Sequence, residues 1–162
     1  MSEAVTVYYL AIESADFVAV SSQPEGCEIK QSTQSVGALN AFFYRWVGAD
    51  WGWTDKLELT SEQWQTHAEG CELWIIYDRG TPAGYFELAT EKGVTDLQYF
   101  GLAPHAVGRG LGKFALEFAI AQGLLRSPKL TVNTCTWDHP AALPNYLARG
   151  FKPLYQEVEQ RE

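Results

Sequence analysis

Apolar residues recur along this chain with two different periods, and the switches between them mark out its elements. Thr6 to Ile12 is rich in Val and Tyr and predicts a strand, and Cys27 to Thr33, after the turn signal Pro24-Glu25-Gly26, predicts a second. From Val36 to Val47 the spacing lengthens to three and four. Val36, Leu39, Ala41, Phe42, Phe43, Trp46 and Val47 together predict a helix that stops at Gly48. Thr60-Ser61-Glu62-Gln63 reads as the start of another helix, with Thr60 and Gln63 placed for a reciprocal capping box. Ala49 to Leu59, between the two, is an aromatic loop.

Short periods then return. Leu73 to Tyr77 predicts a strand, Asp78 to Pro82 carries turn chemistry, and Ala83 to Ala89 predicts the partner strand of a hairpin. Glu91-Lys92-Gly93 turns the chain into a strand over Val94 to Leu102, so three consecutive strands form a meander. The strongest helical pattern runs from Leu111 to Leu125, through Phe114, Ala115, Phe118, Ala119 and Gln122, and Pro128 ends it. Leu130 to Thr134 predicts a strand. Pro140 to Arg149 is helical in part, bent or started late by Pro144 and stopped by Gly150, and Phe151 to Val158 predicts a last strand. The order calls for an α/β chain with a mixed sheet covered by helices. With no internal repeat, low-complexity tract or linker, residues 1–162 read as a single domain.

Composition narrows the partners. Hydrophobic residues make up 46% and aromatics 14%, which disfavours disorder. The net charge of −8 disfavours nucleic acid and anionic membranes and suits a neutral or cationic small molecule, although solubility alone explains it equally well. Cys27, Cys71 and Cys135 show no metal-ligand spacing and the three His are not clustered with them, so the sequence predicts reduced thiols and no metal. No basic leader precedes the first apolar run and no stretch approaches the roughly 18 apolar residues of a membrane helix. The expectation is a cytoplasmic protein without a membrane partner; its oligomeric state is open, a homodimer included.

The chemistry concentrates between Leu97 and Lys113, where a strand-like run ends at Ala103-Pro104 and Gly108, Gly110 and Gly112 open the long helix. Glycines at alternate positions let an anion approach the backbone, and the first N–H groups of a helix lack internal partners and carry its positive dipole end. The loop therefore suits a phosphorylated ligand. A dinucleotide fingerprint needs glycine at position 113, where Lys113 stands, and a phosphate-binding NTPase loop needs glycine and Ser or Thr where Val107 and Phe114 stand.

Val107-Gly108-Arg109-Gly110-Leu111-Gly112, preceded by Leu102-Ala103-Pro104, resembles the acyl-CoA loop of the GNAT acyltransferase superfamily, in which Gln or Arg leads, followed by two residues, Gly, any residue and Gly or Ala. The glycines match, and Val107 replaces the leading polar side chain. Tyr146-Leu147-Ala148-Arg149-Gly150-Phe151 resembles the family's C-terminal Tyr-x-x-x-Gly-Phe, and the element order fits the family from the first strand to about Tyr155. Trp51-Gly52-Trp53-Thr54-Asp55 and the run from Asp138 to Tyr146 are similar to a bacterial GNAT subgroup.

The resemblance implies a GNAT fold, with a mostly antiparallel sheet of six to seven strands flanked by about four helices. It also implies an N-acetyltransferase that moves an acetyl group directly from acetyl-CoA to a primary amine of a small molecule or exposed peptide. Phe100, Gly101 and Leu102 would face the pantetheine arm and the thioester carbonyl. Backbone N–H groups from Val107 to Gly112 would hold the pyrophosphate, with charge added by Arg109 or Lys113. Tyr146 takes the general-acid role, since a phenol stays protonated at neutral pH. Asp96 occupies the position of a catalytic Glu in some members, and Glu87 on the preceding strand is its rival; two solvated carboxylates without a role is the third reading. His139 stands where an Asn is common and would bond the pantetheine amide or move a proton, unless Asp138 merely caps the helix beside an exposed His139. Trp51, Trp53 and Asp55 would form an aromatic, anionic pocket for the acceptor ammonium, against the alternative of simple core packing. A catalytically silent acyl-CoA-binding module is the competing function.

Overall fold

A run of six consecutive buried residues, Ala83 to Leu88, marks the strand around which the layers assemble, because only a strand covered on both faces is buried without alternation. The computed structural model describes residues 2–162. Its elements are β1 (Glu3–Glu13), β2 (Cys27–Ser32), α1 (Gly37–Gly48), α2 (Ser61–Glu69), β3 (Glu72–Asp78), β4 (Thr81–Glu91), β5 (Val94–Leu102), α3 (Gly112–Arg126), β6 (Lys129–Cys135), α4 (Ala142–Arg149) and β7 (Lys152–Arg161). The strands form one seven-stranded sheet in the order β2-β3-β4-β5-β6-β1-β7. Every neighbouring pair is antiparallel except β5 with β6. Among the described residues no helix is long and apolar enough to cross a membrane.

The meander β3-β4-β5 forms as the pattern requires, but its first turn is tighter than Asp78 to Pro82. Arg79 and Gly80 both have positive φ, at 51° and 80°, the paired geometry of a two-residue hairpin turn, so pairing resumes at Thr81 opposite Asp78. Both halves of the capping box at α2 are present: Gln63 N–H donates to Thr60 Oγ1 at 3.1 Å, and Thr60 N–H donates to Gln63 Oε1 at 2.9 Å. Pro144 is accommodated by a late start of α4. The helix starts at Ala142, which puts the proline in the first turn, where a missing N–H removes no internal bond.

One core lies between the sheet and α3 with α4, and includes Leu88, Leu97, Leu116, Ile120, Leu130, Tyr146 and Phe151. The other face packs α1 and α2 through Phe43, Tyr44, Val47, Trp64, Tyr85 and their neighbours. The stripe of α3 is rotated from the expected one. Leu125 is 78% exposed, while Ala115, Leu116, Ala119, Ile120 and Gly123 are buried. A helix apolar nearly all round offers two overlapping stripes, and the buried one brings Glu117 inward to meet Arg149 of α4, with Nη1 donating to Oε2 at 3.1 Å.

Candidate active site

β5 and β6 pair only from Val94 to Leu97 against Lys129 to Val132, and beyond that point the strands part. A cleft of about 700 Å³ opens between them. Its floor is Leu97 and Val132. One wall is the free end of β5 from Gln98 to Leu102, continuing into Val107, Gly108, Gly110, Gly112 and Lys113. Asn133, His139, Asn145 and Tyr146 belong to the opposite wall, and Tyr44, Trp51, Trp53, Asp55 and Arg161 also line the cavity.

The glycine loop is shaped by its backbone. Gly108 and Gly110 both have φ of +81°, and no atom lies within 4 Å of where a Cβ would sit at either. Leu111, at the N-cap of α3, places no side-chain acceptor on the first N–H groups. The loop thus offers unblocked donors at a helix N-terminus, as an anion requires. Lys113 lines the cleft, whereas Arg109 does not and lies 3.7 Å from Asp78 Oδ2. Leu111 is buried, and its side chain anchors the loop in the core.

A β-bulge decides which residues of β5 face which way. Glu87 pairs with Tyr99 and Leu88 with Leu97, so Gln98 is an extra residue. Strict alternation would put Asp96, Gln98, Phe100 and Leu102 on one face, and the extra residue breaks it: Phe100 and Leu102 pack with the α3 core, and Tyr99 joins the α1 and α2 side. Gln98 Oε1 is buried without a hydrogen-bond partner in a residue that lines the cleft, an acceptor free for a ligand's N–H.

Neither expected base lies in the cleft. Asp96 sits where β5 and β6 are still paired and accepts from Thr131 Oγ1 at 2.7 Å. Burial raises its carboxyl above the ordinary value, and the Thr131 bond opposes this. Glu87 is fully buried beneath α1 and α2, where it accepts from Asn40 Nδ2 at 2.8 Å and contacts His67 Nε2 at 2.7 Å. Beside it, burial and then Glu87 push the Cys71 thiol up to about 12, so Cys71 is no thiolate nucleophile.

Tyr146 is 6% exposed, its ring set edge-on to Phe151 at 5.6 Å. Burial, with Asp138 adding to it, raises its phenol well above the ordinary value. Asp138 does not cap α4, whose N-cap is Ala141; it accepts from Trp53 Nε1 at 2.9 Å, Thr134 Oγ1 at 2.6 Å and Cys135 N–H at 3.2 Å. Trp53 thereby ties the aromatic loop to the β6–α4 turn, while its ring also packs on Tyr44 and Tyr99. His139 packs against Trp51 with ring centroids 4.8 Å apart and accepts the Ala141 N–H at Nδ1, so a neutral ring carries its proton on Nε2 and donates there. Gln98, Tyr44, Tyr99, Asn133 and Arg161 line the cleft without having been expected there. The bulge and the long-range placement of β7 leave no mark in local periodicity.

Residues 39–151 match the family model described as Acetyltransferase (GNAT) family. Among solved structures, a GCN5-related N-acetyltransferase from Sphaerobacter thermophilus is 15% identical with a TM-score of 0.75, covering 99% of this chain and 52% of that one. A GCN5-related N-acetyltransferase from Kribbella flavida is 20% identical with a TM-score of 0.64, covering 96% and 57%. The acetyltransferase of GNAT family from Streptococcus pneumoniae is 21% identical with a TM-score of 0.60, covering 78% and 84%. These likenesses are of fold, and the chain spans little more than half the length of the first two. No curated protein matches the sequence.

Proposed function

The chain belongs to the GNAT acetyltransferase family, and from that premise we propose that it moves an acetyl group from acetyl-CoA to a primary amine of a small molecule or exposed peptide by direct attack. The observation that carries this reading is the coincidence, in one cleft, of an uncapped helix N-terminus behind positive-φ glycines with a buried, protonated tyrosine on the facing wall. Acetyl-CoA supplies the activated acyl group as cosubstrate. Backbone N–H groups from Gly108 to Gly112 and the Lys113 ammonium hold its pyrophosphate, and Val107 contributes backbone only. The free edge of β5 beside Phe100, Gly101 and Leu102 pairs with the pantetheine arm, Gln98 Oε1 accepts from it, and a backbone N–H there polarises the thioester carbonyl.

Trp51, Trp53 and Asp55 receive the acceptor as an ammonium, and the exposed Asp55 carboxylate lets its proton leave toward solvent before attack. His139 orients the arm through its Nε2–H. Tyr146 delivers a proton to the departing thiolate of CoA, and the proton that the attacking nitrogen loses on becoming an amide restores the phenol. The three cysteines are unpaired, in keeping with a cytoplasmic setting.

A thiol-release assay over a panel of primary amines tests the proposal: CoA production that depends on an amine and saturates is expected. The position of Asp96 and Glu87 outside the cleft favours a second reading, an acyl-CoA-binding module without turnover. Acetyl-CoA binding with no amine-dependent release from any acceptor would select it. Trp53→Phe keeps an aromatic ring, a smaller one, and removes the bond to Asp138, a hydrogen bond to a charged group. It is expected to raise the acceptor's KM about 10-fold and leave that of acetyl-CoA unchanged; equal effects on both would assign Trp53 to packing alone.

A further inference from the structure

Beneath α1 and α2, away from the cleft, four polar side chains from three parts of the chain meet, Asn40 and Glu87 buried and His67 and Cys71 half-buried. His67 lies in the last turn of α2, and Cys71 follows the Gly70 cap, which folds the chain back so that its Sγ is 3.9 Å from His67 Nε2. Glu87 rises from the centre of β4, with Oε1 2.7 Å from the same nitrogen. Asn40 of α1 donates from Nδ2 to Glu87 Oε2 at 2.8 Å, and otherwise only faces Cys71 Sγ at 3.8 Å. One donor atom each from His67, Cys71 and Glu87 lies within 4.8 Å of the others. The expectation that no His clusters with a Cys is thus corrected by a four-residue spacing that brings the two side chains onto one side of a helix end.

We propose that His67, Cys71 and Glu87 form a binding site for a zinc-type divalent cation. An imidazole, a thiol and a carboxylate are the ligand types that zinc takes, whereas magnesium and calcium require oxygen alone. Donor atoms around a tetrahedral zinc lie about 3.3–3.7 Å apart, and the present separations, 2.7 and 3.9 Å from His67 Nε2 and none above 4.8 Å, lie within about 1.5 Å of that geometry. The +2 charge balances a thiolate and a carboxylate, and the thiol proton is released on binding. Asn40 holds Glu87 Oε2, which leaves Oε1 as the ligand and gives the carboxylate the outer-shell bond that metal ligands carry. His67 and Cys71 are partly exposed, which provides an entry path and room for a water in the fourth position. The bound ion ties α2 to the sheet behind Tyr99, whose ring is 6.5 Å from that of His67 and which lines the cleft.

The test uses the full chain, stripped with a chelator and titrated with Zn²⁺ against a chromogenic indicator and, separately, with Co²⁺ by absorbance. One equivalent per chain is expected, bound tighter than about 1 µM, with a thiolate-to-cobalt charge-transfer band. Cys71→Ser should abolish the band, His67→Ala should weaken Zn²⁺ at least about 10-fold, and Cys135→Ser should change neither. Absence of stoichiometric binding by the wild-type chain, a band that survives Cys71→Ser, or one that disappears with Cys135→Ser would overturn the proposal. Thermal melts of each variant check folding, and Zn²⁺ should raise the Tm of the wild type but not of Cys71→Ser.

Discussion

Tyr146→Phe is expected to lower turnover by at least about 100-fold with acetyl-CoA and amine both saturating, while acetyl-CoA affinity stays within about 2-fold. The phenylalanine keeps the ring against Phe151 and removes only the hydroxyl, so packing is not the cause of the loss. Because burial raises the phenol well above its ordinary value, the wild type should keep its acid protonated across the neutral and mildly alkaline range. Thiol-release kinetics and calorimetric titration with acetyl-CoA check the two halves. Unchanged turnover would remove Tyr146 from proton delivery.

Arg149→Leu is expected to destabilise the fold by about 1.5–3 kcal/mol near neutral pH, because it takes the charge partner from a buried carboxylate. Glu117 and Arg149 are each 6% exposed, and Glu117 also accepts from Ser21 N–H at 3.0 Å and Ser21 Oγ at 2.8 Å. Burial pulls the Glu117 carboxyl up, but the bonds from Ser21 and Val20 and the Arg149 charge outweigh it, and the net shift is downward from 4.5. A depressed carboxyl adds stability that is present above its unfolded value and lost as pH falls through the lower folded value. The variant removes the Arg149 share of that gain and keeps the Ser21 and Val20 bonds, so its deficit should shrink on acidification as Glu117 takes up a proton. Urea denaturation at neutral and at acidic pH measures this; a deficit independent of pH would mean that the ion pair is not its source. The arginine within the Tyr146 to Phe151 motif is thus a clamp, joining the helix that carries Tyr146 to α3.

Much of the fold is legible because its signals are local. The glycine at C′ of α4, the reciprocal caps of Thr60 and Gln63, and the meander are written into adjacent residues, and each forms within one or two positions of its expected bounds. The glycine loop is legible for the same reason: positive φ and helix start are set by the residues that show them. What stays hidden depends on the partner. The insertion of β1 between β6 and β7, the inward turn of Glu117 and the meeting of His67 with Glu87 across 20 residues are fixed by packing between distant segments. Asp96 has a carboxylate on the expected strand, but lies at a level where β5 is still paired with β6.

The extra residue at Gln98 makes the cleft a matter of counting. Upstream of it, the odd-numbered Leu97 faces α3; downstream, that face belongs to the even-numbered Phe100 and Leu102. A single insertion has therefore reassigned every later side chain of the strand to the opposite layer without changing one of them. The wall that meets a ligand is specified by residue identities together with the phase in which they are read, so two chains with the same residues here and a different count would present different chemistry.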